Sequence, residues 1–194
     1  DLNLKDKVVL ITGGAKGIGA SCVEAFAAEG AVPVIAGRSP ELGQALIERL
    51  GCGLMIEAEL GSEEACREVV AKTLAEFGRL DGIVHNAGTN DGASLRKSPS
   101  DFMTSLQNNI FHVFALTHFG LDALIKAKGF IVNISSKVAE TGQGGTSGYA
   151  ASKGAMNGLT REWALDLAGF GIRVNTVVPA EVYTALYEKW INTM

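Results

Sequence analysis

K-V-V-L-I-T-G-G-A-K-G-I-G, Lys7 to Gly19, is the stretch that decides the fold. Its first six residues, Lys7–Thr12, are β-branched or apolar enough for a buried strand. Beyond the glycines, Ile18, Cys22, Ala25, Phe26 and Glu29 recur at helical intervals through Ile18–Glu29. Strand, glycine turn and helix therefore follow one another within a single short unit.

The same alternation continues outward from this unit. Val32–Ala36 reads as a strand, Pro40–Leu50 as a helix, Leu54–Ala58 as a strand, Ser62–Phe77 as a helix and Gly82–His85 as a strand. A long helical segment over about Asp101–Ala127 precedes a strand at Phe130–Ser135, a helix at Gly148–Ala168 and a strand at Arg173–Val178. Ser62 followed by Glu63 and Glu64 marks a helix start, while Gly78 and Gly169 are expected to close helices. Regular β/α alternation predicts an α/β fold: a doubly wound, Rossmann-type parallel sheet, with six strands visible, flanked by helices. No repeat, linker or low-complexity tract divides the chain, so residues 1–194 are expected to form one domain.

Composition narrows the class. The 194 residues are 47% hydrophobic and 20% charged, enough for one substantial core. A net charge of −4 without a Lys/Arg block argues against nucleic acid, which requires clustered positive charge. No uninterrupted apolar stretch is long enough to span a bilayer, since even Ala25–Ala36 is broken by Glu29, Gly30 and Pro33; no membrane partner is expected. Cys22, Cys52 and Cys66 are odd in number and unclustered, and no signal-peptide pattern opens the chain. A reducing, cytoplasmic setting is expected. His85, His112 and His118 lack ligand spacing, so no metal is expected.

Gly13, Gly17 and Gly19 stand where a phosphate would meet a helix N-terminus, with Lys16 and Ile18 in the same loop. Gly13 suits the tight turn, Gly17 the approach of a pyrophosphate, and Gly19 the packing of helix on sheet. The spacing departs from G-x-G-x-x-G. At the end of the second strand, eighteen residues after Gly19, an acid would bind ribose hydroxyls, but Gly37, Arg38 and Ser39 stand there. With no acid to repel it, a 2′-phosphate could be met by Arg38 and Lys16. NADP(H) is thus the preferred cofactor, with NAD(H) as the alternative.

Further along, Y-A-A-S-K sets Tyr149 and Lys153 four residues apart, with Ser136 thirteen residues upstream of Tyr149. On a helix the two share a face, and an ammonium beside a phenol favours the phenolate. A phenol ionises near pH ~10, too high for a base at neutral pH without such help. Ser136 could hold a substrate oxygen. Taken alone, Y-x-x-x-K also describes an ordinary surface helix.

T-G-G-A-K-G-I-G, N-A-G at Asn86–Gly88, Asn109 in N-N-I-F-H-V-F, Ser136 and Y-A-A-S-K, in this order, resemble the short-chain dehydrogenase/reductase family over essentially the whole chain. The resemblance implies that Tyr149 is the general base for alcohol oxidation and the acid for carbonyl reduction. It implies that Lys153 lowers the Tyr149 pKa and binds the nicotinamide ribose, that Ser136 orients the substrate oxygen, and that Asn109 holds a water in a proton relay. Asn86, Ala87 and Gly88 would line the adenosine side.

P-A-E-V-Y-T resembles the family's P-G-x-V-x-T, which places Pro179, Val182 and Thr184 at the nicotinamide carboxamide, with Ala180 replacing the usual glycine. Glu59 and Leu60 in E-A-E-L approximate the adenine-binding pattern. Within the family, N-I-S-S-K, T-G-Q-G-G-T-S-G-Y, P-A-E-V and Y-E-K-W-I look like bacterial L-fucose dehydrogenases and related aldose 1-dehydrogenases. Asn90, Asp91, Gln143 and Glu181 would supply hydrogen bonds to a polyhydroxylated substrate, although loop capping accounts for them equally.

An oxidoreductase converting an L-fucose-like aldose to its lactone is therefore expected, in a homo-oligomer, tetramer or dimer. The alternatives are a reductase of a 3-ketoacyl thioester or ketone, and a nucleotide-binding scaffold without turnover. The family continues for several dozen residues beyond Met194, through a substrate-covering segment and a seventh strand, so a fragment is expected.

Overall fold

The computed structural model describes residues 2–184, 187, 188, 191 and 192. Lys189 and Trp190 of Y-E-K-W-I lie outside the described residues. The strands are β1 (Val8–Thr12), β2 (Val32–Gly37), β3 (Leu54–Glu57), β4 (Gly82–His85), β5 (Phe130–Ile134) and β6 (Arg173–Val177). They form a parallel sheet in the order β3-β2-β1-β4-β5-β6. Every residue of β1 and β4 is buried, as expected of central strands covered on both faces.

Helices α1 (Gly17–Ala28) and α2 (Pro40–Leu50) pack on the sheet face that carries Val9, Ile11 and Ile35. The opposite face carries Leu10, Val34, Ile83 and Ile131. It is covered by α3 (Glu63–Phe77), α5 (His112–Ala127) and α7 (Ser147–Asp166). Burial of these two apolar layers is the main driving force for the fold. At the N-terminal edge of the sheet Asp81 accepts from the Val8 amide at 2.9 Å and takes a two-pronged contact from Arg79 at 2.6 and 2.7 Å.

The strand reading matches within a residue or two at each end. Three local features differ. The helix before β5 is not uniform: α4 (Pro99–Leu106) passes through a π turn, Gln107–Phe111, into α5. A short helix α6 (Val138–Thr141) follows Ser136 and was not expected. Gly169 does not close α7; the helix runs into a 3-10 turn, Ala168–Phe170, and the left-handed residue is Gly171, at φ 73°.

The combined run Pro99–Ala127 is long and apolar enough by length and composition to cross a membrane, with a mean hydropathy of 1.3, which a search for uninterrupted apolar stretches misses. Here it packs against α3 and α7 and buries Asn109, His112 and Thr117, as the core helix of a layered α/β domain does.

Candidate active site

Strand order reverses between β1 and β4, and the crevice at such a switch point is where α/β sheets bind ligands. The loops leaving these strands are tied together. Thr12 Oγ1 accepts from the amides of Asn86 and Ala87, each at 3.0 Å, and Asn86 Nδ2 donates to the carbonyls of Thr12 at 2.9 Å and Gly13 at 3.3 Å. Gly13 sits at φ +65°, where a side chain would be strained. A Cβ on Gly19 would collide with the Gly13 carbonyl and with Asn86 Nδ2, so its glycine serves the loop itself more than helix-on-sheet packing.

Gly17, Ile18, Pro179, Val182 and Thr184 line one mostly apolar cleft of about 710 Å³. The glycine-cradled helix start fits a pyrophosphate, which needs backbone amides; the cleft itself runs along α1 and the α1 face of the sheet, past Phe26, Val84, Val132 and Ile134. Leu60 is buried. Lys16 and Arg38 are exposed. Arg38 is not free of acids as expected: Glu59 lies 3.5 Å from its guanidinium, both side chains being 69% exposed. The acid comes from the loop after β3, beyond the reach of a search along β2.

On the other side of the crevice, α7 presents Tyr149 and Lys153 one turn apart. Ser135 Oγ donates to the Lys153 carbonyl at 3.0 Å, and Lys153 Nζ donates to the Ile134 carbonyl at 2.7 Å. Two bonds thus pin α7 to the end of β5, which delivers Ser136. The Ser136 side chain lies near enough to the Tyr149 hydroxyl to favour its ionised form.

Burial pushes the Tyr149 phenol above its ordinary value, and the Ser136 side chain opposes this. The Lys153 ammonium lies 5.6 Å from the Tyr149 ring centroid and donates to the Ile134 carbonyl. Burial brings the Lys153 ammonium down to about 8.

Asn109 lies in the π turn, fully buried. Its Nδ2 donates to the Ser105 carbonyl at 2.9 Å and its Oδ1 accepts from the Thr89 amide at 2.7 Å. A Cβ on Gly88 would come within 3.0 Å of Asn109 Oδ1 and 3.5 Å of Lys153 Nζ, so Gly88 lets the loop after β4 close over both. Asn109, Gly88 and Lys153 therefore meet, as π turns at functional sites often arrange.

The proposed substrate contacts are mostly engaged within the protein. Asn90 Oδ1 accepts from the Gly92 amide; Asp91 Oδ1 accepts from the Ala93 amide and, at 2.9 Å, from Ser105 Oγ. Glu181 pairs with Lys137, and Gln143 is exposed on the loop after α6. Lys137 escaped the sequence reading although it directly follows Ser136. So did Glu140, whose carboxylate takes a 2.6 Å bond from Asn157 Nδ2 and ties α6 to α7.

A family model described as short chain dehydrogenase matches residues 7–194. L-fucose dehydrogenase from Bos taurus is 37% identical over 185 residues, covering 94% of this chain and 68% of that protein. The 3-oxoacyl-[acyl-carrier-protein] reductase FabG from Thermotoga maritima is 37% identical over 195 residues, covering 97% and 79%. A crystal structure of the dehydrogenase Cj0485 superposes with a TM-score of 0.95 at 42% identity, over 100% of this chain and 76% of that one.

Proposed function

We propose, from the premise that this chain belongs to the short-chain dehydrogenase family and is with it an NAD(P)-dependent oxidoreductase acting on CH–OH groups, that it oxidises the anomeric hydroxyl of an L-fucose-like aldose to the lactone. One observation carries the chemistry: Tyr149 and Lys153 stand one helical turn apart on α7, with Lys153 anchored to the Ile134 carbonyl at the end of the strand that delivers Ser136. The sugar rests on the likeness to L-fucose dehydrogenases and on the polar groups near the cleft.

In this reading residues 1–194 are one dinucleotide-binding catalytic domain. Gly13, Lys16, Gly17, Ile18 and Gly19 hold the pyrophosphate side. Glu59, Leu60, Asn86, Ala87 and Gly88 hold the adenosine side, and Pro179, Val182 and Thr184 hold the carboxamide. The nicotinamide, when bound, supplies the hydride acceptor. Ser136 positions the C1 hydroxyl and Tyr149 takes its proton. Lys153 holds the nicotinamide ribose and favours the phenolate, and Asn109 holds the water that passes the proton onward. Gln143, Asn90 and Glu181 meet the sugar hydroxyls.

We assign the preference to NADP(H), carried by Arg38 and Lys16, with Glu59 as a brake on it. We also read the protein as a homo-oligomer, dimer or tetramer, which would cover apolar groups such as Phe114 and Leu165, exposed at 56% and 79%.

The similarity to FabG favours a second reading, reduction of a 3-ketoacyl thioester. A panel of aldoses, secondary alcohols and ketoacyl thioesters, followed by nicotinamide absorbance with each cofactor, separates the two. Turnover of L-fucose supports the sugar reading; turnover of thioesters without any aldose overturns it.

A further inference from the structure

Behind Lys153 lies a buried polar seam that the chemistry above does not use. His85 on β4 and Asn133 on β5 are register partners, so their side chains leave one face of the sheet about 4.8 Å apart. Each meets a threonine of the covering helices. His85 Nε2 lies 2.9 Å from Thr117 Oγ1 on α5, and Asn133 Nδ2 lies 2.8 Å from Thr160 Oγ1 on α7.

Both threonines spend their only proton inside their own helix, Thr117 on the Val113 carbonyl at 2.8 Å and Thr160 on the Met156 carbonyl at 2.9 Å. Each can therefore only accept from the strand. It follows that His85 carries its proton on Nε2 and that Asn133 directs its NH₂ to Thr160. What is left over is a bare lone pair on His85 Nδ1 and the Asn133 Oδ1, and neither has a partner among the described residues.

His112, the first residue of α5, adds a third acceptor. Its Nε2 is buried without a partner among the described residues, and the Ala87 carbonyl favours a proton on the ring, which leaves Nδ1 to carry it. All three residues are at most 1% exposed. The titratable groups acting on His85 are His112 and Lys153, and Lys153 acts on His112. From β1 and β5 the neighbours are the uncharged Thr12 and Asn133.

Buried acceptors without donors are costly, and internal water making about three hydrogen bonds is the usual remedy. Asn133 also precedes Ile134, whose carbonyl anchors Lys153. We propose that His85 Nδ1, Asn133 Oδ1 and His112 Nε2 bind internal water between the β4–β5 sheet and helices α5 and α7, and that this water positions Lys153 from behind. The three are positioning residues, keeping the wall of the proton site polar but uncharged. The water site stands by itself; its effect on Lys153 rests on the reading of Tyr149 and Lys153 as the proton-transfer pair.

The test begins with ¹⁵N-histidine NMR of the full-length protein. His85 should be protonated on Nε2 and His112 on Nδ1, both neutral down to about pH 5, with magnetisation transfer from long-lived water. His85 protonated on Nδ1, bonding Asn133 directly with no water signal, overturns the site. Asn133→Leu and His112→Phe should then move the pH midpoint of turnover by about one unit while cofactor Kd changes less than about twofold. His112→Gln should restore the midpoint. An unmoved midpoint in folded variants overturns the positioning role, and full turnover by Tyr149→Phe would sink the proton-pair reading while leaving the NMR result intact.

Discussion

Lys153 Nζ donates a 2.7 Å hydrogen bond to the carbonyl of Ile134, so the strand that delivers Ser136 also fixes the lysine one turn beyond Tyr149. The ammonium is held by sheet backbone, not by the phenol. Burial holds the Tyr149 phenol above its ordinary value, and the Ser136 side chain opposes this.

Tyr149→Phe removes the hydroxyl to which proton removal is assigned and leaves the glycine loop untouched. Turnover should fall by a factor on the order of 10²–10⁴, with cofactor binding preserved. Steady-state rates and cofactor titration by nicotinamide fluorescence check this. An unchanged rate would refute the assignment.

Lys153→Met removes a charge that is almost fully buried. The folded-state value of about 8 lies below the ordinary lysine value of 10.5, so the unfolded chain binds more protons between these limits. Stability should rise as pH climbs through that window and be lost as pH falls through about 8. Lys153→Met should abolish that slope and raise stability near neutral pH by about 1 kcal/mol, the unpaired Ile134 carbonyl offsetting part of the gain. Urea unfolding across pH is the measurement, and activity should be lost.

His112 carries the opposite end of the pH scale. Burial brings its imidazole down to about 4 against an ordinary value of 6.5, and His85 shifts the same way. Stability is complete above 6.5 and should fall by roughly 3 kcal/mol as pH drops through about 4 on account of His112. His112→Phe should flatten the stability slope in this window by about one proton.

Arg38→Ala should weaken NADP(H) about tenfold and leave NAD(H) nearly unchanged, since only the former carries the 2′-phosphate. Glu59→Gln should act the other way, tightening NADP(H) roughly threefold by removing a carboxylate 3.5 Å from Arg38. Isothermal titration with both cofactors reads each effect. Equal losses for the two cofactors would show that Arg38 does not read the phosphate.

Much of the fold was legible because strand and helix periods alternate cleanly; Pro40–Leu50 and Gly82–His85 match residue for residue. The π turn at Gln107–Phe111 was not, since its side-chain pattern continues the helical period on both sides. Nor was α6, whose four residues are too few to establish a period.

At the site, Tyr149, Lys153 and Ser136 could be placed because their spacing rides on one helix and one strand end. The groups that modify them could not. The Ile134 carbonyl has no residue signature, and the Arg38–Glu59 and Lys137–Glu181 pairs join segments far apart in sequence. His85 and His112 were visible only as histidines without ligand spacing; their burial against β5, α5 and α7 appears only once the layers are assembled.

The central claim is hydride removal from the anomeric carbon with proton removal by Tyr149. L-fucose deuterated at C1, incubated with the full-length protein and NADP⁺, tests it most directly. Deuterium recovered in the reduced nicotinamide, with a primary isotope effect on turnover and loss of transfer in Tyr149→Phe, is the result predicted. Reduction of a 3-ketoacyl thioester with no deuterium transfer from L-fucose or any other aldose would contradict it.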